Sequence, residues 1–357
     1  MTHLTSSPVA SEPQALRLGI LGCANIARQF VRDTKGSTAV QVVAVASRQL
    51  ETAVAFAGAL DVARAHGSYE ALLADGAVDA IYLPLPNSLH AEWAIRAAEA
   101  GKHVLCEKPL SLGVAQARRM FDAAERHGVQ LLEAYPYAFQ PQNLALLGLL
   151  NQGVLGEVRS VQACFGFTVA QGSGNIRLQP ELGGGALLDA GSYALSLIRS
   201  VMGCAPQRVR ADASWSDSGV DISTSATLYY ADGRRAQLSC AMDTANHRRA
   251  TVVGSLGTLE TEYLNHTAHA AGDNPFGYLP SQLRLRRGVA NSIPFEEISC
   301  PSGSGFRFAA ETFAQALAHG DRALFERARQ SSLDNMATLE ALALSAREDR
   351  AVALDGL

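Results

Sequence analysis

Lysine is almost missing from this chain. Among 357 residues it occurs at Lys35, Lys102 and Lys108 only, against 27 arginines. Arginine therefore fills nearly every ordinary cationic role. A retained lysine is a candidate for what a guanidinium cannot do, which is to offer a compact ammonium whose pKa answers to its surroundings. Strong net charge is missing as well. The balance is −4 with no basic cluster, so the electrostatic footprint of a nucleic-acid surface is absent. The six cysteines, at 23, 106, 164, 204, 240 and 300, form no CxxC and no Cys/His ligand spacing. That argues against a metal site and for reduced thiols in a cytoplasmic protein. Apolar runs stay far short of the ~18–20 residues of a membrane span, so no membrane association is expected. Residues 1–15 have neither a charged n-region nor an apolar h-region and read as a disordered tail rather than a signal peptide.

What remains is a globular composition, 48% hydrophobic and 18% charged, long enough for two domains. Residues 16–135 alternate short apolar runs with helical patterns, which predicts a doubly wound parallel sheet. Strands are expected at 16–21, 40–46, near 65–69, and at 80–83, 103–108 and 130–134. Residues 136–357 read as a second, α+β domain, with strands near 158–167, 209–214, 225–230, 235–242, 249–254 and 258–261. Helices are expected over 306–320 and 331–349, and an extended loop over 264–293.

The first strand ends in a tight turn at Gly22-Cys23-Ala24-Asn25-Ile26, and a helix follows. Strand, turn and helix together are the context of a dinucleotide fingerprint, although alanines stand at its second and third glycine positions. Small residues there still let a pyrophosphate reach the helix N-terminus. The second strand ends in Ser47-Arg48, with no acid where an NAD-preferring fold places one about 20 residues past the glycines. A hydroxyl and a guanidinium suit a 2′-phosphate, which predicts NADP(H) over NAD(H). A cap or a solvated side chain is the other reading of Arg48. Farther on, Pro84 and Pro86 stiffen a turn in which Asn87 or Ser88 is placed to cap the next helix.

At the carboxyl end of the strand over 103–108 stand Glu107, Lys108 and Pro109, where open parallel sheets place their ligand crevice. Position alone also allows a surface cation before a turn. In the second half, Gly183-Gly184-Gly185 lets the backbone approach something closely or adopt positive φ. Asp189 and Tyr193 follow, four residues apart and so on one helix face.

These stretches resemble the Gfo/Idh/MocA oxidoreductases, named for glucose–fructose oxidoreductase and inositol dehydrogenase. The resemblance runs from about residue 17 to the C-terminus and is carried by GILGCANIA, ASR, PLPNSLHAEWA, AGKHVLCEKPLS and GGGALLDAGSY. It implies a Rossmann domain followed by a domain built on a large, open, mostly antiparallel sheet. One face of that sheet would meet the nicotinamide. The other would join subunits into a homodimer or homotetramer. Leu85, Pro86, Asn87, His90, Glu107 and Lys108 join the turn residues and Ser47-Arg48 as the implied cofactor-binding set, and the lysine–proline bond of such proteins is often cis.

Tyrosine at 193 is similar to the branch near glucose–fructose oxidoreductase, dihydrodiol dehydrogenase and the aldose dehydrogenases. The chemistry implied is a hydride moved between nicotinamide and a carbinol carbon. Tyr193 is then proton donor or acceptor, and Lys108 lowers its pKa and orients the substrate hydroxyl. Asp189 would hold a second sugar hydroxyl or orient Lys108, and Arg177 would meet cofactor or substrate. Many sugar-oxidising relatives carry arginine and histidine where this chain has Ala138 and Gln140, which leaves the substrate open. Three functions follow: aldose oxidation, reduction of a keto-sugar, and non-catalytic dinucleotide sensing.

Overall fold

Apolar runs buried on both faces build the first sheet. The computed structural model describes residues 15–170, 174–262, 281–301 and 303–354. The expected N-terminal tail therefore lies, but for Ala15, outside the described residues. Strand and helix alternate through β1 (Leu16–Leu21), α1 (Asn25–Thr34), β2 (Val40–Ala46), α2 (Leu50–Leu60), β3 (Arg64–His66) and α3 (Tyr69–Leu73). They continue through β4 (Ala80–Leu83), α4 (His90–Glu99), β5 (His103–Glu107), α5 (Val114–Arg126) and β6 (Leu131–Ala134). All six strands are parallel, in the order β3-β2-β1-β4-β5-β6. The order reverses between β1 and β4, and a ligand crevice opens at the carboxyl ends of strands at such a point.

The second sheet is open and mostly antiparallel. After α6 (Pro141–Asn151) and β7 (Val158–Thr168) comes α7 (Ser192–Met202). The strands β8 (Arg208–Trp215), β9 (Asp221–Tyr229), β10 (Arg235–Ala241), β11 (Asp243–Gly254) and β12 (Gly257–Thr261) follow. Next are β13 (Ser281–Arg287), β14 (Glu296–Cys300), α8 (Gly305–His319), α9 (Arg322–Glu348) and β15 (Val352–Ala353). The nine strands run β14-β13-β12-β11-β7-β10-β9-β8-β15, and β7 with β10 is a parallel pair in an otherwise antiparallel sheet. Burial alternates along β9 and β10. That is the pattern of a sheet with one covered and one open face, and α7 lies against β7 and β10 on the covered side.

Three expectations change. The loop expected over 264–293 contains β13, whose Leu283 and Leu285 are buried and alternate with exposed Gln282 and Arg284 and half-buried Arg286. Residues 264–280 of that loop lie outside the described residues. α9 starts at Arg322 rather than near 331, and the Asp321 carboxylate caps it by accepting from Leu324 N–H at 3.0 Å. Finally, not all of 136–357 sits on the second sheet. Phe306 of α8 packs against Phe30 and Tyr82 of the first domain. α9 packs against α5, β6 and β8, so it ties the two sheets together.

Candidate active site

β5 brings a buried run to the crevice edge and ends in Glu107, with Lys108 next. The bond from Lys108 to Pro109 is cis. On the opposing unit, a π-helical turn over Leu187–Gly191 leads into α7. Such turns widen the helix and often mark functional positions. Asp189 lies in that turn and Tyr193 in the helix that follows, so the two do not share one regular α-helical face. Lys108 Nζ donates to Asp189 Oδ1 at 2.7 Å and to its carbonyl at 2.9 Å. Arg177 Nε donates to Asp189 Oδ2 at 2.5 Å. Burial pushes the Asp189 carboxyl up, but the two cations outweigh it and hold the group well below the usual carboxylate range.

Tyr193 is 4% exposed and packs edge-on against Tyr135 and Phe165. The Lys108 ammonium lies over its ring, 4.5 Å from the centroid, a cation–π contact. Among the described residues the ammonium makes no hydrogen bond to the phenolic oxygen. Burial, then the Glu107 and Asp189 carboxylates, push the phenol well above its ordinary value. The expected lowering of the Tyr193 pKa by Lys108 is therefore corrected: the charge meets the ring face, and its hydrogen bonds serve Asp189.

The glycine run explains how Arg177 arrives. A side chain at Gly184 would strike the carbonyls of Arg177 and Gln179, and Gly185 N–H donates to the Arg177 carbonyl at 2.9 Å. Gly183 and Gly185 both have positive φ, at 78° and 115°. What the glycines admit is thus the chain's own Arg177 loop. Asn87 does not cap α4. Its amide donates to the Gly183 carbonyl at 2.8 Å and bridges the two units.

On the dinucleotide side, Gly22 turns at φ 111°. Ala24 and Asn25 are exposed at the start of α1, and Cys23 and Ile26 are half-buried. No side chain caps that helix, so its N–H groups are open to an anion. Ser47 and Arg48 stand at the end of β2, with Arg48 exposed. Leu85 packs against Gly22 from the β4 side. These features fit a dinucleotide phosphate.

Two members of the expected cofactor set move below the surface. His90 is fully buried, with Nδ1 2.9 Å from the Pro109 carbonyl and Nε2 2.8 Å from the Leu85 carbonyl. Glu107 is 5% exposed and accepts from Tyr82 Oη at 2.6 Å and Lys108 N–H at 3.3 Å. Both side chains are engaged with protein partners. Burial pushes the Glu107 carboxyl up to about 7. A second buried acid was not foreseen. Glu133 accepts from Leu110 N–H at 2.8 Å and from Ser332 Oγ of α9 at 2.6 Å, and burial pushes it up to about 7 as well. Its signal in the sequence was a carboxylate inside an apolar strand, LLEA. Of the two departures, Ala138 packs against the core. Gln140 is 1% exposed, and its amide has no hydrogen-bond partner among the described residues.

A Rossmann sheet facing an antiparallel sheet, with a lysine–carboxylate–tyrosine cluster between them, defines a nucleotide-dependent oxidoreductase. Residues 16–135 match a family profile described as "Oxidoreductase family, NAD-binding Rossmann fold", and residues 144–260 match the "GFO/IDH/MocA C-terminal domain". The chain belongs to the Gfo/Idh/MocA oxidoreductase family. It is 36% identical over 342 residues to D-xylose 1-dehydrogenase (NADP(+)) 2 of Haloferax volcanii, covering 95% of this chain and 100% of that one. A 3-ketoreductase from Actinomadura kijaniata, solved with NADP and TDP-benzene, superposes with a TM-score of 0.82. It is 32% identical over 93% of this chain and 98% of that chain. An aldose-aldose oxidoreductase from Caulobacter crescentus, solved with glycerol, also gives a TM-score of 0.82. It is 26% identical, covering 95% of this chain and 100% of the other.

Proposed function

We propose that this chain is an NADP(H)-dependent oxidoreductase acting on a carbinol carbon of a sugar or polyol, with oxidation of an aldose as its reaction. The observation that carries the reading is the meeting of Lys108, Asp189, Arg177 and Tyr193 where β5 ends. The 2′-phosphate preference is supported by Ser47 and Arg48, by the NADP(+) in the xylose dehydrogenase's name and by the NADP in the 3-ketoreductase complex.

A nicotinamide held there would supply or take the hydride, and the chain supplies the rest. Lys108 has three N–H donors and spends two on Asp189, which leaves one for a substrate oxygen. Arg177 spends Nε on Asp189 and keeps its terminal nitrogens for a second hydroxyl. In the reductive direction the protonated Tyr193 donates to the reacting oxygen; in the oxidative direction it acts as the phenolate, having released its own proton before it takes that of the hydroxyl. Asp189 holds both cations in place. A second reading, reduction of a keto-sugar, is favoured by one observation. A phenol pushed well above its ordinary pKa keeps its proton and suits donation to an oxygen that is becoming anionic.

Absorbance of NADPH, followed with a panel of free aldoses plus NADP+ and with keto-sugars plus NADPH, tests both. Aldose turnover carries the first reading, and keto-sugar turnover alone carries the second. Dinucleotide binding without turnover would sink both and make the chain a dinucleotide-sensing regulator. We propose further that the open face of the second sheet, with Gln162, Ser225, Thr227 and Gln237, joins subunits into a homodimer or homotetramer. The six cysteines are free, as suits reduced thiols in a cytoplasmic enzyme. No helix among the described residues is long and apolar enough to cross a membrane.

A further inference from the structure

His90 opens α4 and is fully buried, yet its ring meets only oxygen acceptors. The carbonyls of Pro109 and Leu85 stand 2.9 Å and 2.8 Å from its two nitrogens. A neutral imidazole has a single N–H and can donate to one of them, whereas an imidazolium donates to both. The peptide that joins Pro109 to Leu110 is also gripped at its other end, where its N–H donates to Glu133 Oε1 at 2.8 Å. The Pro109–Leu110 amide is thus held at both its N–H and its C=O. Pro109 follows Lys108 directly, and Leu85 packs on Gly22 in the dinucleotide turn.

We propose that His90 is a positioning residue which, as an imidazolium, ties the 85–87 loop to the Lys108 turn and so fixes the wall against which the dinucleotide lies. The consequence for binding rests on the NADP(H) reading; the protonation itself does not. Several charged groups bear on the ring. Lys108 lies on the turn it holds, and Glu133 stands across the Pro109–Leu110 amide. Glu107 is hydrogen-bonded to Lys108 N–H. On its own helix Glu92 is paired with Arg96. The α5 side chains Arg118, Arg119 and Asp122 are exposed. Burial pulls the ring's pKa down, the carbonyls pull it up, Lys108 pulls it down again, and the net direction is down. The proton is therefore held on the acid side and lost as the pH rises. Its loss leaves one carbonyl facing a bare nitrogen lone pair.

The test has two arms, both on the full chain. The first is a 15N NMR titration of the His90 ring between about pH 5 and 8. The second is the Kd of NADPH, followed by its fluorescence over the same interval, in the native protein and in His90→Gln. Both nitrogens should carry protons at the acid end, and one should lose its proton as the pH rises. The native Kd should weaken by about tenfold relative to the variant over that step, as expected for one charge-assisted hydrogen bond. Both proteins share the titration of the ligand itself, so only their difference counts. A ring with one bare nitrogen throughout, or the same pH course of Kd in both proteins, overturns the proposal. Should His90→Gln fail to fold, the titration of the native ring decides. NADPH that does not bind at all would strike the cofactor reading and leave the NMR arm standing.

Discussion

Lys108 holds its ammonium over the face of the Tyr193 ring, 4.5 Å from the centroid, while its hydrogen bonds run to Asp189. The lysine thus favours the ring's electron density without drawing off the phenolic proton. Tyr193 enters the crevice as a neutral acid.

Tyr193→Phe keeps the ring and the cation–π contact and removes only that proton. Turnover should fall by about 10²–10⁴, the usual worth of a positioned general acid or base. The Kd of NADPH should stay within experimental error of the native value. Stopped-flow measurement of the hydride step, beside a binding titration, separates the two. Near-native turnover with intact binding would remove Tyr193 from the chemistry.

Asp189→Asn keeps the shape and removes the charge that two cations share. Losing one member of a buried ion pair costs about 3 kcal/mol or more, and the half-exposed Arg177 moderates the loss. Unfolding in urea should show a lower midpoint at unchanged slope. Because the Asp189 pKa is depressed, its contribution is present above the unfolded value and fades as the pH falls toward the folded one. The Lys108→Met/Asp189→Asn double variant should lose less than the sum of the singles, since the two changes remove one shared interaction. Additive losses would show that the pair does not act as a unit.

The two buried glutamates predict an opposite pH dependence. Glu107 and Glu133 are each raised from 4.5 to about 7, which corresponds to about 3 kcal/mol apiece. Between those values the folded chain binds more protons than the unfolded one, so stability falls as the pH climbs and levels off above 7. The thermal midpoint should therefore drop between pH 5 and pH 8. Glu107→Gln and Glu133→Gln should each flatten that slope, since an amide cannot ionise. A midpoint that is level or rising across this interval in the native protein rules the account out.

Which parts of this were legible in the sequence follows from where the physics is local. β2 and β4 fall where their apolar runs place them, because a strand buried on both faces carries its signal in its own composition. β13 hides its signal in alternation: buried Leu283 and Leu285 alternate with Gln282, Arg284 and Arg286, and these polar residues mask the strand. α6 is aliphatic on several sides and presents no single face to read. At the site, the spacing of Asp189 and Tyr193 was readable and the cation near them was expected. That the ammonium would meet the ring rather than the oxygen is settled by how the end of β5 packs against α7, which no residue pattern announces. The Glu133–Ser332 contact joins positions 199 apart in sequence, so nothing in either neighbourhood predicts it.

Cofactor choice is the most direct consequence of the first domain. Arg48 is exposed at the end of β2, one residue past the half-buried Ser47, and no acidic side chain stands at that strand end. A ribose 2′-hydroxyl wants an acceptor there, whereas a 2′-phosphate wants donors and positive charge. Arg48→Leu removes the charge while keeping an apolar stem over the adenosine side. The KM for NADP+ should rise by about 10–100-fold, the worth of a hydrogen bond to a charged group, and the KM for NAD+ should barely change. Initial rates with both dinucleotides at one fixed substrate concentration give the ratio. A parallel rise for both would mean that Arg48 supports the turn rather than reading the phosphate. A native enzyme that already prefers NAD+ would overturn the assignment at its root, because no rearrangement of an exposed guanidinium supplies the missing acceptor.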